Sequence, residues 1–140
     1  LVGGGGADTI TTGAGADTVY MLQADSVLAA AATITDYTYA VGGTSNDILN
    51  LGDQTTVIGT TATVQDLSAQ TTLALALGVA ANTNTVNVGL SVFIWGGDEY
   101  VYVETTGATT TYAATDTVVK LTGLPLASGD AIAGAGFDAV

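Results

Sequence analysis

Cysteine and histidine are absent from this sequence, and Lys120 is its only basic side chain. Lack of thiol and imidazole excludes disulfide staples, thiol nucleophiles, the commonest general base and the usual transition-metal sites. Lack of a basic patch excludes a surface for nucleic acid or anionic membrane. Apolar runs are short as well. The longest Ala/Leu-rich stretch, residues 73–81, carries Gly78 and falls well below the roughly 18 residues of a membrane-spanning helix. Charge is sparse, at 10% of residues, yet one-sided: 13 acids against one base give a net charge of −12. Most of the acids are Asp, with only Glu99 and Glu104 as exceptions. Asp is favoured where carboxylates sit in turns, whereas Glu would dominate if acids merely decorated helices. Such a chain lowers its self-repulsion by binding cations. The 48% apolar content is enough for a real core, so this is not a disordered tail.

What is present begins at once. Residues 3–11 read Gly-Gly-Gly-Gly-Ala-Asp-Thr-Ile-Thr, and residues 12–20 read Thr-Gly-Ala-Gly-Ala-Asp-Thr-Val-Tyr. Both fit the nine-residue pattern G-G-x-G-x-D-x-U-x, with U a large apolar residue, and the second departs only at Thr12. This is the calcium-binding repeat of a parallel β-roll. Glycines allow tight backbone turns that bring carbonyl oxygens inward. Asp8 and Asp17 supply carboxylates, hard ligands suited to Ca2+. Ile10 and Val19 point inward and are the only core each unit has. A glycine-rich surface linker would explain the glycines, but not an Asp and an aliphatic residue recurring in phase.

The pattern then fades. Ala24-Asp25-Ser26-Val27 echoes Ala16-Asp17-Thr18-Val19 without the glycines, and residues 42–50 match again with Ser45 in place of the fourth glycine. A roll uses two units per turn, so Asp8 is expected to face the region of Asp25. The candidate ligands are Asp8 and Asp17 with the carbonyls of Gly4, Gly6, Gly13 and Gly15, extended to Asp25 and Asp47 in the weaker repeats. Because the repeats start immediately and the first residue is Leu1, the chain reads as the C-terminal piece of a longer protein with further repeats before it.

Beyond residue 30, alternation predicts a strand over 33–39 and another over 47–51, with pairing strands around Gly59 in 55–65. A helix is expected over 67–82, capped by Asp66 or Ser68 and ending at Asn82. Two short strands there remain an alternative, since Thr71, Thr72 and Gly78 weaken the helix. The clearest hairpin runs from Val92 to Val103 around Gly96-Gly97-Asp98, followed by a strand over 117–121. Asp98 and Glu99 are expected at its exposed tip. Trp95, Tyr100 and Tyr102 read as cross-strand packing rather than a sugar platform. Asp36 reads as a strand-edge cap. The fold class is therefore mainly β: a β-roll remnant over 1–30, then a β-rich capping module over 31–140 with one helix. No nucleophile–base pair can be argued, so the chain is expected not to be an enzyme.

Four segments together resemble the C-terminal region of RTX (repeats-in-toxin) proteins, which leave the cell by type I secretion. They are the nonapeptides at 3–20, Ile34-Thr35-Asp36-Tyr37 followed by Asp47-Ile48-Leu49-Asn50-Leu51, the hairpin Gly96 to Val103 with Asp116 to Gly123 behind it, and the ending Phe137-Asp138-Ala139-Val140. The resemblance implies Ca2+ as the bound ion, an uncleaved export signal at residues 137–140, the type I machinery as a partner during export, and a secreted or cell-surface location. Richness in Thr, Ala, Gly and Val resembles surface-layer proteins of this type. That implies a non-catalytic structural protein that self-assembles with identical subunits. The alternative is the calcium-binding and secretion module of an RTX adhesin or secreted hydrolase.

Overall fold

The computed structural model describes residues 1–22, 25–39, 47–51, 62–83, 89–104, 111–124, 126–132 and 137–138. Its elements are β1 (Thr9–Ile10), β2 (Thr18–Tyr20), β3 (Ala32–Ile34), β4 (Ile48–Asn50), β5 (Ala62–Thr63), β6 (Gln65–Asp66), α1 (Leu73–Thr83), β7 (Leu90–Trp95), β8 (Asp98–Val103), β9 (Thr117–Leu121), β10 (Ala131–Ile132) and β11 (Phe137–Asp138). The chain is mainly β, with one helix among the described residues.

Consecutive strands at the N-terminal end alternate between two sheets. β1 pairs with β3 in parallel, placing Ile10 opposite Ile34. β2 pairs with β4 in parallel, placing Val19 opposite Leu49. Each strand thus finds its partner two units along, and all four aliphatics are buried in one cluster. Glycine-rich loops connect these strands, since L side chains rarely adopt their positive φ angles.

β3 then hands the sheet to the rest of the chain. β9 runs parallel to it, with Ile34 opposite Leu121. β9, β8 and β7 follow as antiparallel neighbours, giving a six-stranded sheet in the order β1-β3-β9-β8-β7-β6. This order runs across residue 30 without a break. The hairpin turn is Gly96-Gly97, with φ of 62° and 88° and Trp95 paired to Asp98. Two positive φ angles in a two-residue loop match the twist of the flanking strands. The turn is thus one residue shorter than the sequence suggests.

This sheet is buried on both faces. Phe93, Tyr100, Tyr102 and Val118 point to α1 and meet Leu77, Ala80 and Ala81. Val92, Val101, Val103, Val119 and Leu121 point the other way, toward Val19 and Leu49 of the β11-β4-β2 sheet. The expected aromatic packing is present: Phe93 and Tyr100 stack with centroids 5.5 Å apart, and Trp95 meets Tyr100 edge-on.

Several expectations shift. The helix starts at Leu73 rather than Leu67, because the Thr72 hydroxyl accepts from the Leu75 amide at 3.2 Å and caps it there. Asp66 instead accepts from the Ser68 amide at 3.0 Å and closes a local turn. The strand expected over 33–39 ends at Ile34, since Asp36 turns back toward the second glycine loop. Glu99 is not at an exposed tip. It is buried opposite Leu121, and burial pushes its carboxyl above the usual range. The strands expected around Gly59 fall largely outside the described residues, as do Gly42, Gly43 and Ser45. Of the tail, β10 pairs with β5 and β11 pairs in parallel with β4. Among the described residues no helix is long and apolar enough to cross a membrane.

Candidate metal centre

The first glycine loop spans residues 3–8. Gly4 and Gly6 have φ of 78° and 123°, conformations that L side chains rarely adopt. A Cβ on either would meet nothing within 4 Å, so the glycines are required by the backbone path and not by crowding. The loop lies against the turn two units later: the Gly6 amide donates to the Asp25 carbonyl at 3.0 Å. This is the facing that the repeat arithmetic predicts. The Asp25 carboxylate itself accepts from the Leu22 amide at 3.1 Å and closes its own turn.

Asp8 closes the loop. Its carbonyl accepts from the Thr33 amide of β3, which fixes its backbone. Its Oδ2 is buried and receives no hydrogen bond among the described residues. A buried carboxylate oxygen without a donor is costly, and a hard cation is the natural compensation. The loop therefore fits Ca2+ on donor chemistry: one buried carboxylate oxygen in need of a partner, in a loop whose backbone supplies further oxygen donors. No group of three or more acidic side chains able to hold a metal occurs among the described residues. Backbone carbonyls such as those of Gly4 and Gly6, with water, would have to supply much of the coordination of an ion at Asp8.

The second loop, residues 12–17, repeats the backbone of the first. Gly13 and Gly15 have φ of 93° and 125°. Its surroundings differ. The amides of Thr12 and Gly13 donate to the two oxygens of Asp36 at 2.7 and 2.8 Å. These amide bonds hold the Asp36 carboxyl below its usual range. The Asp17 amide donates to Asp47 Oδ1 at 2.9 Å, and the Thr38 amide donates to Asp47 Oδ2 at 2.7 Å. The Thr12 hydroxyl lies 3.0 Å from Asp36 Oδ1 and 3.3 Å from Asp47 Oδ2. Asp47 is fully buried, and behind it the Tyr37 hydroxyl donates to the Asp47 carbonyl and accepts from the Leu49 amide. Burial drives the Tyr37 phenol well above its ordinary pKa, so it stays a neutral donor.

Of the eight ligand positions expected from sequence, Gly4, Gly6 and Asp8 form the first loop, and Gly13, Gly15 and Asp17 form the second. Asp25 backs the first loop through its carbonyl, and Asp47 backs the second through its carboxylate. Asp36 and Thr38 are the residues that sequence reading did not assign to this centre. Thr12 carried a visible signal, as the single departure from the repeat.

Elsewhere, Asp116 is buried and accepts from the Tyr102 hydroxyl and the Ala113 amide, both at 2.7 Å. Lys120 pairs with Asp98 at 2.7 Å. Both arrangements tie β8 and β9 to their surroundings. No known protein-family model matches the sequence, and no curated protein matches it significantly.

Proposed function

We propose that this chain is a non-catalytic, calcium-binding region of a secreted structural protein of the cell surface, of surface-layer type, which folds and assembles outside the cell. The observation that carries the reading is the buried Oδ2 of Asp8, without a donor among the described residues, in a loop whose glycine φ angles recur nine residues later. The alternation of β1 to β4 between two sheets supports reading them as a turn of a parallel β-roll. The resemblance to RTX proteins supports export by the type I machinery.

The physics favours a switch between compartments. Intracellular calcium is too low to fill weak loops, whereas extracellular modules bind in the range of about 10⁻⁴–10⁻³ M. An ion that binds only the folded chain stabilises it by mass action. With a net charge of −12, cation binding also relieves repulsion between chains. Self-assembly then follows folding.

Calcium titration, read by circular dichroism and light scattering together, tests this. Folding and particle growth, both reversed by chelator, are expected. Folding without growth would favour the module of an adhesin or secreted hydrolase. An unchanged spectrum across the titration would remove calcium from the account.

A further inference from the structure

The two glycine loops share a repeat and a backbone, yet they end on different chemistry. In the second loop, consecutive amides of Thr12 and Gly13 converge on one carboxylate, that of Asp36. Amides arranged in this way form a concavity for an anion and not for a cation. Both oxygens of Asp36 and both of Asp47 already accept, and Asp17, the counterpart of Asp8, has no buried oxygen without a partner among the described residues. Asp36 Oδ1 takes Thr12 and Oδ2 takes Gly13; Asp47 Oδ1 takes Asp17 and Oδ2 takes Thr38. The Thr12 hydroxyl, which exists only because this repeat has Thr where the pattern has Gly, adds a donor between the two acids. In the first loop, Gly3 and Gly4 are the counterparts of Thr12 and Gly13. Among the described residues neither of their amides donates to a carboxylate, although the Asp8 side chain lies against Gly3. Asp25, the nearest acid along the stack, has turned its Oδ2 to Leu22 instead.

We infer that only the first loop is a calcium site, and that the second is a metal-independent lock in which Asp36 and Asp47 satisfy the loop from within the chain. The inference rests on the calcium reading for the first loop; the lock itself does not. The reason is the donor count. A cation at the second loop would compete with amide protons for the oxygens of Asp36 and Asp47 and would forfeit those bonds. At the first loop it would meet a buried oxygen that no donor among the described residues serves.

The experiment has two arms on the full chain, with calcium alone as the ligand. Isothermal calorimetry on the wild type is expected to give one ion per chain in this region, lost in Asp8→Asn and kept in Asp17→Asn. Amide hydrogen exchange by NMR, in chelator, is expected to find Thr12 and Gly13 already protected at least tenfold more than Gly4 and Gly6. Two ions per chain, with one lost in Asp17→Asn, would overturn the inference while leaving the calcium reading intact. Thr12 and Gly13 amides that exchange freely until calcium is added would overturn it too. Absence of calcium binding with Thr12 and Gly13 still protected would sink the calcium reading and leave the lock standing. Wild-type stoichiometry and exchange need no variant, so a misfolded mutant does not blunt the test.

Discussion

The strands β1 to β4 and the strands β7 to β9 hold together by different means. The first group has strands of two or three residues; the second has strands of five or six. Each nonapeptide buries one aliphatic side chain, Ile10 or Val19, worth about 1.5–3 kcal/mol. To that burial the first group adds fixed amide–carboxylate bonds and, in our reading, an ion. The second group is buried on both faces, with aromatics against the helix and aliphatics against the smaller sheet. Packing on both faces dominates there, with the Tyr102–Asp116 bond and the Lys120–Asp98 pair as added polar ties. One sheet thus joins a part held through carboxylates and a part held chiefly by apolar packing.

The sharpest way to test this contrast is to damage each half and compare the losses with and without calcium. Phe93 is fully buried and stacked on Tyr100. Phe93→Ala should cost about 3–5 kcal/mol in urea unfolding, equally in calcium and in chelator. A loss confined to the calcium-bound protein would mean that packing and ion binding are not separable. Asp47 comes next. Asp47→Ala strips acceptors from the Asp17 and Thr38 amides, for about 1–3 kcal/mol. Asp47→Asn keeps one carbonyl oxygen and should recover part of the loss. Equal stability of Asp47→Ala and wild type would show that these bonds do not carry the N-terminal strands.

Much of this arrangement was legible in the residues. The repeat phase places Ile10 and Val19 inward, and the facing of the first loop and the region of Asp25 follows from counting. The aromatic alternation in 91–103 gives the hairpin. What escaped has a common physical cause: it depends on pairings distant in sequence. β9 joins β3 across more than 80 residues, and no local signal says that these segments meet. Asp36 reads as a strand-edge cap, and only the fold shows that the amides it caps are those of Thr12 and Gly13, 24 and 23 residues earlier. Glu99 looks like a turn acid because it follows Gly-Gly-Asp. Its burial comes from β9, which lies alongside. The helix starts later than its apolar spacing suggests for a local reason: the Thr72 hydroxyl accepts from the Leu75 amide and caps it there.

That cap is a smaller lever on the same contrast. Thr72→Ala should cost about 1 kcal/mol, seen as a lower urea midpoint with unchanged calcium affinity. The helix packs on the side of the sheet away from β2 and β4, so a fall in affinity would reveal coupling through the sheet.

The smallest effect belongs to the only base. Lys120 and Asp98 form an ion pair at 2.7 Å, with side chains 31% and 28% exposed. The carboxylate holds the ammonium above its ordinary pKa. A raised lysine pKa adds stability that is complete below the unfolded-state value and fades as pH rises through the folded one. The contribution is thus present at neutral pH, but exposure screens it to below about 1 kcal/mol. Lys120→Gln should lower stability by that small amount, less in high salt, with no pH dependence between 6 and about 9. The comparison predicts this weakness, because β9 is held by Val118, Val119 and Leu121 and not by its charge. A loss of several kcal/mol, abolished by salt, would place electrostatics at the centre of the packed half as well, and the division between the two regions would fail.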